Sequence, residues 1–314
     1  MTDALPPLPA AAGRPILIEP APHLPFLEPR IAHAPGLMPL RPEDWLRVDA
    51  DFADQMAARE ALIETRPGIV LALGEDAGGA AAELLDTVLA ALPALPGFRV
   101  ADGTVERPDG GRVTVERDAP FRTIGRLTAY DFCVLQPDAA SGEYRLGGAV
   151  LCFPARWSLA EKMGRPLTAI HAPVPDYDDA LARRVNRVFE AIRPERPLWR
   201  INWLVYGDPV LHQPFFRDGA ETPGHGKTWQ PEGPFYLRTE RQTLRRLPRT
   251  GAVAFGIKSS VTPVEALAPS EAAGLSAALG GLDAGAVEYR IGTEANRAIR
   301  ARLDALAAGA EAAE

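Results

Sequence analysis

FYLRTERQTLRRLPRTGAVAFGIKSSV, residues Phe235–Val261, is the stretch from which the fold follows. It reads as a strand, a short turn at Arg249-Thr250-Gly251, and a second strand of small and apolar residues. The first strand carries Arg238, Arg241, Arg245 and Arg246, although the formal net charge of the chain is -7. Arginines gathered on one extended segment of an acidic protein call for a local partner. A planar guanidinium that grips carboxylate or phosphate with two bonds is the usual one. By strand alternation Thr239, Arg241, Thr243, Arg245 and Leu247 share one face and Glu240 turns to the other. Arg241 is the preferred anion anchor, with Arg238 and Arg245 expected on other parts of the ladder or nearer its rim. A solvated face pairing with surface carboxylates is the alternative.

Outward from this hairpin, strand-like material recurs at Arg112–Val115, Tyr144–Phe153 and Arg200–Tyr206, with the hairpin strands placed at Tyr236–Leu247 and Ala252–Lys258. Helical spacing predicts helices over Asp51–Glu64, Ala80–Leu92, Ile124–Leu135, Ser158–Lys162, Asp178–Ile192, Pro263–Leu279 and Thr293–Ala308. Helices first and hairpin-compatible strands afterwards predict an α+β domain with an antiparallel sheet rather than regular βαβ units. Residues 1–40 carry ten prolines, so an extended arm that wraps the domain is expected there. The expected division is an arm over 1–40, a single elaborated domain over 41–290 and a C-terminal helix or tail over 291–314.

With 314 residues and 46% hydrophobic composition the chain can bury a full core. A pI near 5.4 argues against a nucleic-acid partner. No run approaches the roughly 20 apolar residues of a membrane span, and the start lacks a signal-peptide pattern. Two cysteines, Cys133 and Cys152, suit a reducing cytoplasm rather than a disulfide framework. A cytoplasmic protein is expected.

Several familiar sites are missing from the sequence. There is no GxGxxG after a strand, no P-loop lysine in the glycine-rich Gly74–Leu85, no HExxH, no CxxC or CxxCH, and no GxSxG. The five histidines are scattered at 23, 33, 171, 212 and 225. A non-covalent cofactor therefore suits the chain better than a compact triad.

His171 lies in RPLTAIHAPVPDY, after a helix that should break at Gly164-Arg165-Pro166 and before Pro173 and Pro175. That rigid presentation suits an axial haem ligand, while a hydrogen-bonded turn histidine is the plain alternative. His212, in DPVLHQPFF, is the second candidate, and no ligand role is expected for His225. Trp199 and Trp203 are four apart, which on a strand puts both on one face, as a pocket wall or as ordinary core. Arg200 and Asn202 point the other way, and Asn202 is a candidate for orienting substrate or water. Cys152 reads as a small buried hydrophobe, with thiolate ligation of iron as the weaker option.

PLRPEDWL (Pro39–Leu46), VLCFPARWSLAEKMGRPLTAIHAPVP (Val150–Pro175), RINW (Arg200–Trp203) and RTERQTLRRLPRTGAVAFGIK (Arg238–Lys258) together resemble the haem-dependent oxidative N-demethylase family. The resemblance implies a PAS-like haem domain acting as a monooxygenase subunit that converts dimethylamine or a similar secondary amine, with dioxygen, to primary amine and formaldehyde. It implies haem b held by His171, with Arg241 toward a propionate; Arg245, in the same strand row, and Trp199, as a pocket wall, are the further cofactor-binding candidates. Asn202, Trp203 and Tyr206 are the candidates for distal hydrogen bonds. It also implies electron-donating flavin and iron–sulfur reductase subunits, and formaldehyde capture by tetrahydrofolate elsewhere in the complex. Ser259-Ser260 departs from the pattern, which has an aromatic after the second strand. A haem-binding sensor without turnover, or a cofactor-free scaffold, is the rival reading.

Overall fold

The hairpin forms the centre of the molecule. Its two strands pair antiparallel along their full length, Arg246 opposite Val253 and Tyr236 opposite Pro263. Gly251, at φ 71°, turns the chain where an L side chain would be strained. The turn is held from outside. Glu83, buried on the Gly78–Ala91 helix, accepts from the backbone N–H groups of Arg249 and Thr250 and from Thr250 Oγ1, at 2.7–2.8 Å. A computed structural model describes residues 6–30, 36–172, 179–215 and 229–309.

In chain order the strands are β1 (Met38–Pro39), β2 (Leu71–Leu73), β3 (Arg99–Ala101), β4 (Thr104–Glu106), β5 (Arg112–Thr114), β6 (Asp131–Asp138), β7 (Glu143–Val150), β8 (Leu198–Tyr206), β9 (Tyr236–Arg246) and β10 (Val253–Pro263). Seven of them make one antiparallel sheet in the order β1-β8-β9-β10-β6-β7-β2, and β3-β4-β5 make a small separate sheet. With helices packed on both faces this is the α+β, single-domain arrangement that the order of elements predicts.

Alternation along β9 separates two faces. On the first, Arg241 and Arg245 stand with Phe132 and Val134 of β6 and Ala254 of β10. Trp45 and the Phe52–Thr65 and Gly78–Ala91 helices cover that part of the sheet, through Met56, Leu62, Leu84 and Val88, all fully buried. Each such apolar side chain contributes about 1.5–3 kcal/mol by leaving water. Farther along the same face, Val205 and Leu237 meet the Pro269–Gly280 and Thr293–Ala308 helices. On the second face, Leu244, Val253, Cys133 and Leu135 pack against Leu159, Leu167 and Phe189 from the helices that lie between β7 and β8.

Two ion pairs tie the layers together. Arg59 Nη1 meets Asp131 Oδ1 at 2.6 Å with both side chains buried, and Asp131 also accepts the N–H groups of Cys152 and Phe153. Lys258 Nζ meets Asp51 Oδ1 at 2.9 Å, again buried. In the proline-rich segment Ile16 and Ile18 are buried, and the Ile18 N–H donates to the Val261 carbonyl at 2.9 Å.

One expected element is wrong. The helix predicted over 124–135 is instead a helix at Pro120–Leu127 followed by strand β6. Asp131–Leu135 is buried on both faces, so its apolar run lacks the alternation that marks a half-exposed strand. The second hairpin strand also runs farther than predicted, to Pro263, because Ser259, Ser260 and Thr262 are buried ladder residues.

Candidate functional site

The second face carries a polar patch in an otherwise apolar layer. Glu240 is its centre, 7% exposed, with Oε2 accepting from Asn202 Nδ2 at 3.3 Å and Gln242 Nε2 at 3.1 Å. Arg238, 1% exposed, approaches Glu240 at 3.6 Å and donates to the carbonyls of Leu211 and Phe153 at 2.9 and 2.6 Å. Of the two places expected for Arg238, another part of the ladder or the rim, its burial on the face opposite Arg241 matches the first. Ser259 Oγ also takes a bond from Arg238, at 3.3 Å, so the serine that replaces the expected aromatic is part of the polar layer.

His171 ends the short Leu167–His171 helix on this face, where Leu167 and Ile170 anchor it to the apolar layer. Its Nδ1 lies 2.9 Å from the Leu167 carbonyl oxygen. A carbonyl only accepts, so Nδ1 carries the proton and Nε2 the lone pair. Burial pushes the ring's pKa down, and the cations Lys162 and Arg200 push the same way, so His171 is neutral at pH 7. Pro173, Pro175 and His225 lie outside the described residues.

Lys162 lies over the Trp157 ring at 4.4 Å and Arg200 projects from β8 beside Glu240; burial lowers the pKa of both. Among the described residues Arg200 Nε is buried without an acceptor. Tyr206, at the far end of β8, has a buried hydroxyl without a partner among the described residues, and burial raises its pKa, so it keeps its proton.

The residues singled out from sequence divide between the faces. His171, Asn202 and Tyr206 lie on the second. Trp199, Trp203, Arg241 and Arg245 lie on the first, because side chains on a strand alternate. Arg241 is 4% exposed and donates to the Asp44 and Trp45 carbonyls at 2.6 and 3.1 Å and to Tyr130 Oη at 3.0 Å, with the Trp199 ring 5.5 Å away. It clamps the Pro42–Asp44 turn to the sheet. Arg245 lies over Trp45 at 4.7 Å, and Trp203 packs edge-on against Phe26 with Arg290 on its ring.

His212 is 5% exposed, with Nδ1 at 2.7 Å from the Cys152 carbonyl and Nε2 unpartnered among the described residues; burial lowers its pKa to about 4. Burial raises the Cys152 thiol to about 12, which keeps it a neutral hydrophobe rather than a thiolate ligand. Sequence reasoning missed Lys162, which sits inside a quoted motif without any local signal that it is buried over Trp157.

Among the described residues no three His, Cys, Asp or Glu side chains converge to hold a metal ion, and no helix is long and apolar enough to cross a membrane. The class that this sheet and site define is given by comparison with known families. The family described as haem-dependent oxidative N-demethylase, alpha subunit-like, matches residues 36–300. The chain belongs to that family, whose description names haem dependence, an oxidative N-demethylase and an alpha subunit.

Proposed function

We propose that this chain is the haem-binding catalytic subunit of an oxidative N-demethylase, with His171 Nε2 as the protein's ligand to the iron of haem b. The observation that carries the proposal is the bond between His171 Nδ1–H and the Leu167 carbonyl at 2.9 Å, which fixes the tautomer a metal requires. A porphyrin supplies four ligands itself, so one imidazole is enough. The buried cations Arg200 and Lys162 suit the propionates, and among the described residues Arg200 Nε is a donor without an acceptor. Arg241 and Arg245, across the sheet, would then hold the fold rather than the cofactor. Counted among themselves, β6–β10 run 2-1-5-4-3 across the sheet, which supports the PAS-like reading.

Haem bound at His171 supplies dioxygen activation. The balanced reaction takes an N-methyl amine, dioxygen, two electrons and two protons to the demethylated amine, formaldehyde and water. The electrons come from a partner reductase of the flavin and iron–sulfur class, since this sequence has no nicotinamide fingerprint. Within the chain, Glu240 faces the substrate's ammonium charge, Asn202 holds that carboxylate in place, and Tyr206 donates its hydroxyl proton in hydrogen bonding. The flanking apolar layer excludes water.

The test is formaldehyde release from an N-methyl secondary amine by the haem-loaded protein with a surrogate electron donor. Stoichiometric formaldehyde is expected. Stable haem binding without turnover across such amines would leave a sensor instead.

A further inference from the structure

Arg156 occupies a position that the reading above does not use. Its backbone is left-handed at φ 61°, a conformation that a non-glycine residue holds only under strain. Arg156 N–H donates to the Gln213 carbonyl at 2.9 Å and Gln213 N–H donates to the Pro154 carbonyl at 3.2 Å, which lock that conformation. Strain held this firmly aims a side chain. The guanidinium lies 4.3 Å from the centre of the Tyr206 ring, and one nitrogen donates to the Arg290 carbonyl.

Among the described residues the remaining donors have nothing to bind. Arg156 Nε and Nη2 are buried without acceptors among the described residues, and so is the hydroxyl of Tyr206, a side chain 1% exposed. Among the described residues Arg156 has no carboxylate partner, and its charged neighbour Arg238 repels it. Burying a cation in this way is costly unless an anion joins it.

We infer that Arg156 and Tyr206 form a carboxylate-binding subsite, and that the substrate class is the N-methylated amino acids rather than simple dialkylamines. Two guanidinium nitrogens and one hydroxyl match the two oxygens of a carboxylate. Glu240, on the same face, offers the opposite charge to the secondary ammonium. The substrate assignment rests on the N-demethylase reading, whereas the carboxylate subsite does not. A haem propionate is the other source of the same chemistry.

Calorimetric titration of the full chain, with and without added haem, separates these. N-methylglycine and dimethylamine are the probes, and haem retention is read independently from the Soret band. N-methylglycine should bind at least about tenfold more tightly than dimethylamine. Arg156→Gln should remove that preference. Tyr206→Phe, which deletes a single oxygen and should fold even where the arginine variant does not, should reduce it by about fivefold. Equal affinity for the two probes, or an unchanged preference in Tyr206→Phe, overturns the inference. So does an Arg156→Gln protein that loses haem while keeping the preference, which would assign the subsite to a propionate. A chain that binds no haem yet shows an Arg156-dependent preference would overturn the haem reading and leave the subsite standing.

Discussion

His171 lies on the Leu244 face of the sheet and Arg241 on the Trp45 face, so the sheet itself stands between imidazole and guanidinium. This division separates the residues proposed for chemistry from those that secure the fold. It gives substitutions on the two faces different expected signatures.

Arg241→Ala should unfold more easily by about 3 kcal/mol, because it removes three donor bonds and strands the Asp44 and Trp45 carbonyls. Its haem spectrum and haem affinity should stay those of the parent protein. Urea unfolding beside a haem titration checks both; loss of haem at unchanged stability would return Arg241 to the cofactor.

Asp131→Asn should cost about 3–5 kcal/mol, because Arg59 would remain charged and buried. Thermal and urea unfolding measure it, and a cost below about 1 kcal/mol would show that the pair contributes little.

His212 makes stability depend on pH. Its ring titrates at about 4 in the fold against 6.5 when unperturbed. Between those values the unfolded chain binds more protons, so this contribution is complete above about pH 6.5 and is lost as pH falls toward 4. About 2 kcal/mol should disappear between pH 7 and pH 5. His212→Asn keeps a donor for the Cys152 carbonyl without titrating, so its pH dependence should be weaker by that amount. Equal slopes for the two proteins would contradict this account.

Cys133 and Cys152 are 3% and 0% exposed, and burial raises both thiols to about 12. A thiol reagent at pH 8 should leave both unmodified in the native protein and label both in urea. Prompt labelling of the native protein would place one of them at an accessible surface.

The central hairpin was legible because its alternation and its Arg249-Thr250-Gly251 turn are local signals. So were the Phe52–Thr65 and Thr293–Ala308 helices, whose polar faces meet solvent. Strand β6 was not, since burial on both sides erases alternation and Phe132-Cys133-Val134-Leu135 fits either period. Which face each arginine serves follows from strand parity. What waits there does not: the Asp44 and Trp45 carbonyls that hold Arg241 are almost 200 residues away in sequence. The subsite around Arg156 depends on a left-handed backbone at a non-glycine residue, which composition does not announce.

Iron ligation by His171 is tested most directly by the absorption spectrum of the protein and of His171→Ala, both expressed with ample haem and both shown to be folded by circular dichroism. The parent should carry a Soret band that responds to carbon monoxide in the ferrous state, and His171→Ala should lose the band or retain only weakly held haem. A variant whose ferric and ferrous–CO spectra match the parent's would contradict the account and move the ligand to another residue.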